Sequence, residues 1–445
     1  MKKLASKWFL WYLKLMAQIQ LLKMRPMIIG VGGASGKTSL ANFVSTILKD
    51  KFRVLDTKGK NSQTGIPISI LGIKSNDYAF LKIFYWVKIG IAAFINVVFN
   101  WKKFDILVAE MGVDSPFEPK NMSYLLKIIK PKLGVLTNIA LEHSEYFDST
   151  VMEKDKIKRK AKILEATRAQ EALLLQSLPK DGLAVLNIDD FKIVETKDIK
   201  ASKLTVSLKN KNADFFAKNI DVSINGFKLY FIYNKDEYIL KIPTALPTYY
   251  AYSFLMAIAI STRLGFSVSK AKEILEKEFS LPPGRMSTFE GKKNTTIIDS
   301  SYNSSPSAIG EALELLNKIA NKRRKVAIIG DMRELGSLSK AEHESLARQL
   351  IKTVDLIILI GPQTAEFSAP ILAQHKHNFF SFRSLSEAKI TIENQIREKD
   401  IILVKGSQNT LYLERAVEML LKDKKDALKL CRRGKYWDKK RSKSL

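Results

Sequence analysis

The stretch Gly33-Ala-Ser-Gly36-Lys37-Thr38 constrains this chain more than any other. It follows the apolar run Met27-Ile28-Ile29 and precedes a helix-forming stretch from Ser39 to Lys49. A strand, a glycine turn and a helix N-terminus together cradle a nucleoside triphosphate. Glycines let backbone N–H groups close on the phosphates, the lysine reaches the outer phosphates, and the threonine hydroxyl takes Mg²⁺. Val31 stands where the longest form of this motif has glycine, so the tighter G-x-x-G-K-T form is present, with Gly32 beside Gly33. The plain alternative is a glycine turn without ligand, and the placing of both lysine and threonine argues against it. Gly33, Gly36, Lys37, Thr38 and Ser39 are therefore predicted nucleotide residues, with Thr38 also on the metal.

A length of 445 residues predicts two or three domains. A hydrophobic fraction of 46% supplies packed cores and argues against disorder. One cysteine, Cys431, excludes an internal disulfide and a cysteine-based metal cluster, which fits a reducing cytoplasm. Only four histidines are present, scattered along the chain, so a histidine-rich metal centre is not expected. The net charge of +28 implies polyanionic ligands or neighbours, unless the source proteome is generally basic. No aromatic-basic recognition motif is present, so nucleic acid is not an expected partner.

Two segments bear on membranes. Met1 to Arg25 sets Trp8, Phe9, Trp11 and Tyr12 among lysines, with no small-residue cleavage site after it. It reads as an amphipathic helix that lies on an anionic surface or packs on the domain. Ile83 to Phe99, within an apolar segment at 78–101, is short for a spanning helix and contains Lys88 and Asn96. It is expected to be buried or to dip into an interface. The location expected is cytoplasmic, with peripheral contact to anionic membrane.

Apolar runs alternate with helical stretches: 26–56, Phe104–Gly112, Leu133–Asn138 and Leu183–Asn187. This pattern predicts an α/β fold with a parallel sheet covered on both faces. Residues 200–243 read as a small antiparallel sheet. Leu281-Pro-Pro-Gly-Arg285 marks a boundary, after which a second alternating series runs through helix 306–320, strand 325–330, helix 339–352 and strands 355–360 and 401–405. The predicted organisation is a basic N-terminal helix at 1–26, a P-loop parallel-sheet ATPase domain at 27–282, a second Rossmann-like α/β domain at 283–425, and a basic tail at 426–445, expected to fray. In an open parallel sheet, ligands bind at the carboxyl ends of the strands. Gly33–Thr38, Glu110 and Asn138–His143 all fall at such ends and are expected to converge on one triphosphate with magnesium.

Carried further along the chain, these blocks resemble the Mur ligases. The blocks that match are Gly33–Thr38, Val108-Ala-Glu-Met-Gly112, Thr137-Asn138-Ile139, His143, Ala184-Val-Leu-Asn-Ile-Asp-Asp190, Gly284-Arg285, Ile298-Asp-Ser-Ser-Tyr-Asn-Ser-Ser-Pro306, Ile329-Gly-Asp-Met-Arg-Glu-Leu-Gly336 and Val404-Lys-Gly-Ser407. The later blocks are most like the branch that joins D-Ala-D-Ala to a muramoyl tripeptide in peptidoglycan synthesis. The resemblance implies an ADP-forming acid–amino acid ligase. ATP phosphorylates a substrate carboxylate, an amine attacks the acyl phosphate, and phosphate leaves. It also implies ATP and Mg²⁺ as cofactors, a muramoyl-peptide-type acidic substrate, D-Ala-D-Ala as the amine, and a monomer. By resemblance, Lys37, His143 and Lys405 are catalytic. Asn138, Arg285, Asp299 and Asn303 join the P-loop in holding nucleotide. Glu110, His143 and Glu171 join Thr38 on metal. Asp331, Glu334, Lys405 and Ser407 meet substrate.

Several positions depart from the family pattern. Only 26 residues precede Met27, where the family carries a uridine-binding domain, so a compact form is expected. A lysine that becomes carbamylated is replaced, by count, with Glu171, or is Lys162 if the register is shifted. The paired aspartates before Tyr302-Asn303 are Asp299-Ser300. A His-Asn pair is Tyr249-Tyr250, and a helix asparagine is Ser253. Two alternatives follow: a Mur-like ligase joining another amino acid or peptide to a different acidic acceptor, or a membrane-associated nucleotide-binding protein with weakened catalysis.

Overall fold

The computed structural model describes residues 2–57, 59–74, 83–406 and 410–442. The first sheet is built from β1 (Met27–Gly32), β2 (Val54–Asp56), β3 (Ile106–Glu110), β4 (Leu133–Leu136), β5 (Leu183–Asn187), β6 (Ser202–Ser207), β7 (Phe215–Ser223), β8 (Gly226–Tyr233) and β9 (Asp236–Ile242). Their spatial order is β2-β3-β1-β4-β5-β6-β7-β8-β9. The strands from β2 to β7 pair in parallel, and β7, β8 and β9 form antiparallel hairpins. The small antiparallel sheet read from 200–243 is thus an extension of the main sheet rather than a separate one.

Buried parallel strands are apolar on both faces, and alternation assigns each side chain to one of two cores. Ile29, Val31, Val108, Val135 and Val185 face a core shared with the P-loop helix (Lys37–Leu48) and the helix Tyr250–Arg263. Ile28, Leu107, Ala109, Leu136 and Leu186 face the opposite core, beneath the helix Lys156–Gln176.

The second sheet contains β10 (Ser287–Glu290), β11 (Thr296–Ser300), β12 (Lys325–Gly330), β13 (Leu356–Ile360), β14 (Phe379–Phe382) and β15 (Ile401–Lys405), in the order β10-β11-β15-β12-β13-β14. All its pairings are parallel except β10–β11. The helix Pro306–Ala320 covers one face and joins the first core without a break. The edge strand β14 and the helix Leu385–Gln395 are additions to the sequence reading.

Residues 426–442 correct the expectation of fraying, and 443–445 lie outside the described residues. Leu430, Cys431 and Arg432 are buried, and Lys435–Ser442 is helical. Arg432 anchors the segment by an ion pair to fully buried Glu414 at 3.1 Å, and it donates to the carbonyls of Ser301 and Tyr302. At the other end, the helices Lys2–Met24 and Ile83–Phe99 pack on each other and on the short helix Gly65–Ile70. Among the described residues no helix is long and apolar enough to cross a membrane.

Candidate active site

The loop after β1 can form only with glycine at two positions. Gly33 has φ +107°, and a Cβ there would lie 2.4 Å from Thr137 Oγ1. Gly36 has φ +83° and starts the P-loop helix. Asn138, at the end of β4, braces this loop from outside. Its Oδ1 accepts from Ser35 N–H at 3.0 Å, and its carbonyl accepts from Ala34 N–H at 2.9 Å. Lys37 Nζ reaches the carbonyls of Gly33 and Ala34 and lies 3.8 Å from Glu142.

β3 lies directly beside β1, with Val31 opposite Glu110. This register delivers the Glu110 carboxylate to the loop, where Oε1 accepts from Thr38 Oγ1 at 3.0 Å. The other oxygen of Glu110 is buried with no hydrogen-bond partner. A hydroxyl beside a carboxylate with one uncommitted oxygen is a hard oxygen donor set, which suits Mg²⁺. Among the described residues no cluster of three or more His, Cys, Asp or Glu could hold a metal alone. The expected set of Glu110, His143 and Glu171 is therefore not gathered as one metal-holding group, because Glu171 is committed to the Gly33 amide beneath the loop.

These groups line a cleft between the two sheets. Its outer part, about 840 Å³, is bordered by Asn61, Asp114, His143, Arg285, Tyr302 and Glu334, among others. An inner arm of about 120 Å³ runs from the P-loop past Tyr249 and Tyr250 to Asn303, Glu311 and Lys405. Arg285 borders both parts, with its guanidinium 4.6 Å from the Tyr302 ring centre.

His143 ties the two domains together. Its Nδ1 makes a close contact with Glu334, and its Nε2 lies 3.5 Å from Asp114. Burial pulls its pKa down, but the bond to Glu334 and the charges of Asp114, Glu334 and Glu142 outweigh it, and the net shift is upward. Lys405 is buried at the end of β15 and donates to Ser300 Oγ at 3.2 Å and the Asn303 carbonyl at 3.0 Å. Burial lowers its pKa to about 8, against the pull of nearby Glu311.

Other predicted residues occupy supporting positions. Glu171 is buried beneath the P-loop and accepts from Gly33 N–H at 2.9 Å. Burial pushes its pKa up to about 7, opposed by Lys37 and the Gly33 amide. Lys162, the alternative in a shifted register, is exposed and paired with Glu153 at 3.1 Å. Asp299 is fully buried, borders neither part of the cleft, and turns the loop by accepting from Ser301 N–H at 3.0 Å. Asp331 also lies outside the cleft lining. It accepts from the Gln363 and Thr364 amides and the Thr364 hydroxyl, which fixes the loop after β13. Ser39 packs against Tyr250, their hydroxyls 3.4 Å apart, at the edge of the inner arm. Ser407 lies outside the described residues.

Glu142 and Glu311 are among the cleft residues absent from the sequence-based site. Glu142 faces Lys37 and accepts from Ser305 Oγ at 3.3 Å, linking the domains. Its position next to His143 was the available signal. Glu311 lines the inner arm with one carboxylate oxygen buried and unpartnered, and burial raises its pKa to about 8. Glu311 lies off the helix face that buries Ile309, Ala312 and Leu313, and no sequence signal marks it.

The comparisons with known proteins agree with this architecture. A UDP-N-acetylmuramoyl-tripeptide–D-alanyl-D-alanine ligase of Buchnera aphidicola subsp. Baizongia pistaciae is 26% identical over 405 residues, covering 89% of this chain and 75% of the relative. The Escherichia coli K12 protein of the same name is 24% identical over 400 residues, covering 87% and 75%. The crystal structure of MurF ligase from Thermotoga maritima in complex with ADP superposes with a TM-score of 0.72 at 22% identity, covering 94% of this chain and 84% of that one. MurF from Acinetobacter baumannii gives 0.71 at 20% identity, covering 89% and 77%. At such identities the structural likeness speaks for the fold. Residues 284–408 match the Mur ligase glutamate ligase domain, and residues 31–261, more than half of the chain, match the Mur ligase middle domain. Two domain matches in the family's order, on a cleft built as this one is, establish that the chain belongs to the Mur ligase family.

Proposed function

We propose that this chain is a cytoplasmic ATP-dependent ligase that forms an amide bond between a muramoyl-peptide-type carboxylate and the amine of D-Ala-D-Ala. The observation that carries the reading is convergence across one cleft. Lys37, Thr38, Glu110 and His143 come from the first sheet's loops, and Arg285, Asn303 and Lys405 come from the second domain. The proposed division is an ATP-binding domain at 27–282 and an amine-side domain at 283–425.

The protein need not supply a nucleophile; it positions groups and neutralises charge. P-loop amides and Lys37 hold the phosphate chain. Thr38 and Glu110 would hold Mg²⁺, with His143 at the cleft side. When bound, the ion supplies Lewis-acid stabilisation of phosphoryl oxygens. A carboxylate oxygen of the acidic substrate attacks the γ-phosphorus and ADP leaves. The neutral amine then attacks the acyl carbon, loses a proton, and inorganic phosphate departs. Lys405 and Arg285 face the developing negative charge in the inner arm, where low dielectric strengthens them.

In this reading Glu171 stands for the carbamylated lysine and acts through the P-loop. Glu171→Gln should weaken Mg²⁺-dependent turnover, and bicarbonate should not restore it. A carbamylated lysine together with bicarbonate stimulation of the wild type would assign that role elsewhere.

The deciding experiment measures ADP release with UDP-muramoyl tripeptide and D-Ala-D-Ala, each present or omitted. Release that requires both, with a peptide product of matching mass, supports the reading. Release with a different amine and none with D-Ala-D-Ala would replace the substrate and keep the ligase.

A further inference from the structure

The helix Ile83–Phe99 is apolar on the side turned away from the protein as well as on the packed side. Ile89 and Ala93 are buried against the N-terminal helix, whereas Phe84, Val87, Ile91, Phe94, Ile95, Val98 and Phe99 face outward, with Phe84 at 83% exposure and Phe99 at 74%. Their spacing of three and four residues makes one continuous stripe. The N-terminal helix repeats the pattern. Leu13, Met16 and Ala17 are buried, while Trp8, Trp11, Ile19 and Leu22 are exposed along a second stripe.

The two helices pack as a pair. Phe9 meets Trp86 edge to face at 5.2 Å, Tyr12 Oη donates to the Gly90 carbonyl at 2.9 Å, and Lys23 Nζ donates to the Val97 carbonyl at 2.6 Å. Neither helix contains an aspartate or glutamate. Lys88 stands exposed within the stripe, between Phe84 and Ile91, and Lys7, Lys102 and Lys103 are exposed as well, with Trp101 next to Lys102.

We infer that this helix pair is a docking platform for an anionic lipid surface, held in the plane of the interface rather than across it. Large exposed apolar patches mark interaction sites. The charge decides the partner. A second copy of this chain would bring lysine against lysine with no acidic residue on either helix to answer it, whereas anionic headgroups complement the lysines while the acyl boundary takes the aromatic and aliphatic side chains. Tryptophan at the rim suits the headgroup level. Ile83–Phe99 is too short to span and Lys2–Met24 carries too many lysines, so the contact is peripheral and reversible.

The test is vesicle flotation with the full chain. The expected result is binding to phosphatidylglycerol-rich vesicles at low salt, weakened about tenfold or more at high salt. Phosphatidylcholine vesicles should bind weakly, and Phe94→Glu with Ile91→Glu should abolish flotation. Melting temperature and near-ultraviolet circular dichroism report whether the variant is folded. Lys88→Glu with Lys102→Glu, which leaves the apolar stripes intact, should reduce binding to anionic vesicles only. The inference fails if phosphatidylglycerol vesicles do not bind the wild type, or if both lipids bind it equally. It fails too if bound protein resists carbonate, or if the outward face instead mediates a dimer that Phe94→Glu dissociates without vesicle binding. None of these readouts depends on ligase activity, so the inference and the proposed reaction stand or fall separately.

Discussion

Replacing Lys37 with alanine is expected to lower ATP-dependent turnover by at least about 10³-fold while most nucleotide affinity remains. The lysine's own bonds to the Gly33 and Ala34 carbonyls are lost, but the P-loop amides, its two positive-φ glycines and the Asn138 brace remain to hold the loop. Arg285 and Lys405 also remain in the inner arm, which keeps some cationic field on the phosphates. They come from the second domain, however, and Lys405 is already bonded to Ser300 and Asn303. Only Lys37 rises from the loop itself. The loss should therefore appear in the chemical step more than in binding. ADP affinity by calorimetry and single-turnover rates separate the two, and a variant turning over near the wild-type rate would remove the P-loop from the mechanism.

Replacing Glu414 with alanine should cost about 3–5 kcal/mol of stability in the C-terminal domain. Arg432 and Glu414 are 2% and 0% exposed, so truncating the carboxylate strands a guanidinium in the interior. The arginine's other bonds, to the Ser301 and Tyr302 carbonyls, hold the loop that carries Asn303 into the cleft. The same variant should therefore also weaken nucleotide binding. Urea unfolding followed by a probe in this domain measures the first effect. Removing both partners, as Glu414→Leu with Arg432→Met, should recover much of the stability, because a buried pair replaced by apolar groups is often neutral. A loss below 1 kcal/mol in the single variant would show that the pair is dispensable.

The parts of this molecule most legible in sequence were those where local pattern and global fold agree. Strand Lys325–Gly330 and helix Pro306–Ala320 were located at their observed bounds. A buried parallel strand is a continuous apolar run, and Pro306 marks a helix start. Phe379–Phe382 escaped notice because a short, half-buried edge strand has no such run. The cleft was legible where residues sit at strand ends, as Glu110 and Lys405 do. Asp331 shows the limit: its motif suggested substrate contact, but its oxygens accept from the Gln363 and Thr364 amides and the Thr364 hydroxyl. Glu311 was illegible for the opposite reason. Its place depends on how a helix face of the second domain meets the end of β15 and the P-loop side, which no local pattern encodes.

The short helix Gly65–Ile70 is a wall with two sides. Thr64, Gly65 and Ile68 border the outer cleft, and Ile68 is also packed in the small core with Leu13 and Ile89. One side chain is thus shared between the cleft and the paired helices of the inferred docking platform. If docking of the helices changes the cleft's affinity for its substrate by some factor, thermodynamic reciprocity requires a filled cleft to change docking by the same factor. An occupied enzyme and an empty one would then reside at the bilayer for different times.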